Sequence, residues 1–105
     1  MAWIYLGIAG LLEIVFAYGL KTAEGFTRLW PSVLTVLAAA ASLYMLSLSM
    51  RTIPIGTGYA VWTGIGAAGT ALVGIIVLGE PRTAPRVASL ALILIGVIGL
   101  RVFSD

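Results

Sequence analysis

Apolar residues fill four long runs of this chain, at positions 1–20, 29–50, 55–78 and 85–103. The breaks between them are short and carry nearly all the charge. Lys21, Glu24 and Arg28 form the first break, Arg51 stands in the second, and Glu80, Arg82 and Arg86 form the third. Arg101 and Asp105 close the sequence. A run of about 20 apolar residues matches the roughly 30 Å hydrocarbon core of a bilayer when helical. A helix also satisfies its own backbone groups where no water is present. The pattern therefore predicts an all-α membrane protein of four transmembrane helices in a single domain, 1–105. The short connections make consecutive helices antiparallel.

One charge lies outside this punctuation. Glu13 sits in the middle of the first apolar run. A charge at the bilayer centre costs at least ~2.5–3.5 kcal/mol on insertion scales, so an intramembrane carboxylate is read first as a functional residue. Handling of protons or cations is the usual reason for its presence. The first run also has a weak cleavage-like motif at Ala17-Tyr18-Gly19. No Lys or Arg precedes it and Glu13 interrupts the run, so a retained helix is expected rather than a signal peptide.

Composition agrees with the pattern. Of 105 residues, 61% are hydrophobic and 10% charged, against about 25% charged in ordinary soluble domains. A soluble chain this small could not hide so much apolar surface. There is no Cys and no His, which excludes thiol catalysis and Cys- or His-based metal sites. Neither enzyme activity, nor a metal, nor a cofactor is expected. The net charge is +2, but the basic residues stand at helix ends, where they mark membrane boundaries. No basic face with interleaved aromatics is present to track phosphates, so nucleic acid is not an expected partner.

The charge balance across the membrane is weak. Lys21, Arg28, Arg82 and Arg86 share one side, and Arg51 and Arg101 share the other. The positive-inside rule favours a cytoplasmic location for the first group by a small margin. A chain with so little bias can insert in both orientations, and two oppositely inserted copies would form an inverted-repeat arrangement.

Helical spacing then groups candidate residues. Glu13 shares a face with Ala9, Gly10, Phe16 and Ala17, whose small members leave space around the carboxylate. Thr35, Ser42 and Ser49 recur every seven residues with Ala38 and Ala39 between them. These hydroxyls either bond back to their own helix or join neighbouring helices; Ser42, at mid-depth, is the one equally suited to a functional contact. In the third segment Tyr59, Trp62 and Gly66 form a stripe, with Trp62 deep for an interfacial belt. Gly64 and Gly66 fit either close helix packing or a hinge. In the fourth segment Ser89 and Gly96 are seven apart, as small residues at a helix-helix interface would be, and a dimer contact is expected there. Glu24 and Glu80 read as solvated boundary charges.

Taken together, these residues resemble the small multidrug resistance transporters over essentially the whole chain. The resemblance rests on Gly10-Leu11-Leu12-Glu13, on the loop EGFTRLWPS at 24–32, and on IPIGTGYAVWTGIGA at 53–67. Thr63 and the Gly-Ile-Gly-Ala run are similar to the guanidinium-exporter branch rather than the polyaromatic-cation branch. The resemblance implies an antiparallel, dual-topology homodimer in a bacterial inner membrane, exchanging guanidinium for protons. Pairing with a paralogue is also compatible with it. It implies that the two copies of Glu13 bind substrate or protons in competition. It further implies that Ser42 and Trp62 orient the glutamates, that Tyr59 helps gate the two faces, and that Gly10 shapes the pocket. This chain departs from that branch at Phe16, where Trp is typical; Phe keeps an aromatic face but lacks the indole N–H donor. Ser89 stands where the family often has Gly.

The chemistry also follows from the residues. Guanidinium is planar, and its N–H donors match carboxylates in a fork. Trp62, Tyr59 and Phe16 can add cation–π contact. Two neighbouring carboxyls titrate as a coupled pair, and protons and cation competing for them give exchange when the empty pocket is slow to reorient. The alternatives are an exporter of larger quaternary ammonium or aromatic cations, and a rotor-type or obligatory-partner subunit. Rotor subunits are usually two-helix hairpins with the carboxylate in the second helix.

Overall fold

The computed structural model describes residues 1–103. They form four helices: α1 (Ala2–Ala23), α2 (Leu29–Ser49), α3 (Ile55–Val77) and α4 (Ala84–Val102). All four are long and apolar enough to cross a membrane. Each coincides with one of the four apolar runs. The largest boundary difference is at α1, which continues three residues past position 20, through Lys21 and Thr22. A lysine stem lies along apolar surface while its ammonium reaches outward, so the charge does not end the helix.

Proline and left-handed backbone set the ends. Pro54 caps α3, and Pro31 and Pro85 lie in the first turns of α2 and α4, where a missing N–H costs nothing. The α1–α2 loop turns through three successive positive φ angles, at Glu24 (48°), Gly25 (72°) and Phe26 (65°). The α3–α4 turn uses Gly79 at φ 69°, and the Glu80 N–H then bonds to the Gly74 carbonyl at 3.0 Å.

Helix α1 packs between α2 and α3, and α4 packs on the far side of α3. The result is a thin slab, 43 × 35 × 17 Å. Leu6, Ala9, Leu46, Ile53 and Val61 are buried at its centre, with Trp3, Trp62 and Ile65 packed around them. Small residues let the helices approach: Thr35 lies against Gly19, and Ile65 against Gly10. No residue of α4 is buried, and Leu92, Ile95 and Ile98 are each more than 60% exposed.

Candidate functional site

Glu13 lies midway along α1 and faces α3 at Gly66. A Cβ at Gly66 would stand 2.5 Å from Glu13 Cγ, so only glycine allows the side chain to lie there. The carboxylate opens on a cleft of about 520 Å³ between α1 and α3. Ala17, Thr63, Ala67 and Thr70 line it at depth, and Lys21, Glu80 and Arg86 stand at its mouth. That volume falls within the usual range for small-molecule sites. The Glu13 carboxylate forms no hydrogen bond with another described residue.

Behind the carboxylate, three helices are joined by one hydroxyl. Trp62 on α3 donates its Nε1–H to Ser42 Oγ at 2.9 Å. Ser42 on α2 donates in turn to the Ala9 carbonyl of α1 at 2.8 Å. In α-helical register that same carbonyl accepts the Glu13 N–H, and its second lone pair serves Ser42. Ser42 is fully buried. Tyr59 stacks against Trp62 with ring centroids 5.3 Å apart and planes at 56°, while itself remaining exposed.

The structure therefore brings Ser42, Trp62 and Tyr59 into one cluster, attached to the turn of α1 that carries Glu13. It does not join them to the carboxylate itself. The other two hydroxyls of the α2 stripe bond back to their own helix, Thr35 to the Pro31 carbonyl at 2.7 Å and Ser49 to the Leu46 carbonyl at 2.7 Å. Gly10 is buried against Ile65, one turn from Glu13. Phe16 is half-buried on α1 and is not among the residues lining the cleft. Helix α3 runs unbroken through Gly64 and Gly66, and both glycines serve close packing, Gly64 against Val97 of α4 and Gly66 against Glu13. Ser89 bonds back to the Pro85 carbonyl at 2.8 Å, and Gly96 has open space beyond its Cα.

Lys21, Glu80 and Arg86 were legible only as boundary charges. Thr63, Ala67, Thr70 and Gly74, spaced by three or four, carry the missed signal: they form one small or polar face of α3 leading from Glu13 to the third loop.

The family model described as Small Multidrug Resistance protein matches residues 1–93. The chain belongs to the small multidrug resistance family. As a member with four membrane-spanning helices, it is a multi-pass membrane protein. It is 57% identical over 104 residues to a guanidinium exporter of Yersinia pseudotuberculosis, covering 99% of this chain and 100% of that one. It is 58% identical over 101 residues to guanidinium exporters of Citrobacter freundii and Escherichia coli O6:H1, covering 96% of each chain.

Proposed function

We propose that this family member exports guanidinium or small guanidinyl cations in exchange for protons, by alternating access across a bacterial inner membrane. It is a transporter and not an enzyme. The observation that carries the reading is the Glu13 carboxylate at mid-depth in α1, opening on a cleft between helices. The names of relatives 57–58% identical along nearly their full length support guanidinium as cargo.

In this reading two copies insert antiparallel and pair through α4, around Ser89 and Gly96, so that both copies of Glu13 face one pocket. Pairing with a paralogue would serve the same geometry. A planar guanidinium bridges the carboxylates by forked hydrogen bonds. Protons occupy the same oxygens, so cargo and protons exclude each other. The Trp62–Ser42–Ala9 chain holds the backbone turn of Glu13 in place, and Tyr59, exposed beside Trp62, gates one face. Gly64 and Gly66 let α3 bend between inward- and outward-facing forms. Gly10 and Phe16, one turn to either side of Glu13 and outside the single-chain cleft, shape the pocket that the two copies share.

The cleft volume favours a second reading, since about 520 Å³ exceeds what guanidinium alone needs. Larger quaternary ammonium or aromatic cations would also fit. Currents from the reconstituted chain on solid-supported membranes separate the two. Guanidinium is expected to give proton-coupled currents that tetraalkylammonium ions do not. Currents from tetraalkylammonium alone would overturn the guanidinium assignment.

A further inference from the structure

The mouth of the Glu13 cleft holds an ion pair, Arg86 Nη2 to Glu80 Oε1 at 2.7 Å. Neither charge is placed to suit its own helix. Glu80 follows the C-terminus of α3, where unpaired carbonyls leave negative potential, and Arg86 lies in the first turn of α4, where free amides leave positive potential. Glu80, whose side chain is 42% exposed, is nonetheless held back against α3. Its backbone N–H bonds back to the Gly74 carbonyl at 3.0 Å. Its carboxylate rests on Gly74 so closely that a Cβ there would collide with Glu80 Oε1. Backbone and side chain together turn the carboxylate back toward the cleft, at the end of the small face of α3 that leads to Glu13.

The group paired with Glu80 is itself a guanidinium. We propose that Glu80 is an outer guanidinium site and that Arg86 is its tethered occupant. An incoming guanidinium exchanges with Arg86 on the Glu80 carboxylate, then passes inward along Thr70 and Ala67 to Glu13. This rests on the guanidinium reading above. With Arg86 in place, Lys21 and Arg86 outnumber Glu80 at the mouth, and a free cation is repelled. When Arg86 swings away, the carboxylate is left to the cargo. The ion pair thus makes entry selective for a cation able to match the fork that Arg86 vacates.

The test is the guanidinium dependence of transport by the reconstituted full-length chain, comparing Glu80→Gln and Arg86→Gln with the wild type. Removing the site should raise KM about three- to fivefold, the scale of a partly exposed charge contact. Removing the tethered competitor should lower KM by a similar factor. Gly74→Ala displaces the Glu80 carboxylate without changing any charge and should act like Glu80→Gln. A pair that merely pins the α3–α4 turn would make all three variants move KM the same way, or not at all, and that result overturns the proposal alone. A wild-type chain that transports no guanidinium overturns the functional reading, and this inference with it.

Discussion

Ser42 has two near-equivalents by pattern, Thr35 and Ser49, and one role by position. Its hydroxyl is the only one in the α2 stripe of Thr35, Ser42 and Ser49 that bonds to another helix rather than its own. Ser42→Ala leaves the Trp62 indole N–H without its acceptor, at a cost of about 1–3 kcal/mol. Ser49→Ala removes only a local back-bond. Thermal unfolding in detergent is expected to show a clearly larger drop for Ser42→Ala than for Ser49→Ala; equal drops would contradict the three-helix role. Gly66 is the second residue with a specific demand, because Glu13 occupies the space of its missing side chain. Gly66→Ala is expected to weaken guanidinium binding about tenfold, within the range of ~1–3 kcal/mol that overpacking costs. Titration followed by tryptophan fluorescence would measure it, and unchanged affinity would contradict the placement of Glu13. Glu13 itself was legible from sequence because a lone carboxylate in an apolar run has no bland explanation. Glu80 was not, since its position depends on a left-handed turn at Gly79 and a vacancy at Gly74, neither of which leaves a trace in hydrophobic periodicity.

At the scale of elements, the helices were legible because charge and proline interrupt the apolar runs at each connection. The end of α1 ran past the expected boundary because Lys21 can continue a helix while its ammonium leaves the apolar zone. The packing order was less legible: periodicity says which face of a helix is small, not which neighbour it meets. Thus Gly64 turned out to receive Val97 of α4, and Gly66 the side chain of Glu13. Helix α4 packs on α3 and is the least covered element, with no buried residue and open space at Gly96. A bulky residue there meets nothing within one chain. Gly96→Leu is therefore expected to leave the monomer folded and to shift a dimer toward monomer in detergent, read by cross-linking yield. An unchanged yield would contradict α4 as the interface.

The whole molecule is a slab 17 Å thin, and its Glu13 cleft is an open groove rather than an enclosed cavity. That shape and the weak charge bias point the same way. Four Lys and Arg residues stand on the side of the first and third loops, against two on the other, so neither orientation is strongly favoured. Reporters fused to the C-terminus, one active on each side of the membrane, are expected to give comparable signals. A single strongly biased orientation would contradict antiparallel pairing of identical copies.

The central claim is that Glu13 carries cargo and protons in turn. It is tested most directly by reconstituting the wild type and Glu13→Gln in vesicles containing a pH-sensitive dye and imposing a guanidinium gradient. The wild type should move protons against the guanidinium flux, and its apparent affinity should fall as pH is lowered, because protons then hold the carboxylates. Glu13→Gln should move none. Guanidinium-driven proton flux that persists in Glu13→Gln would contradict the account.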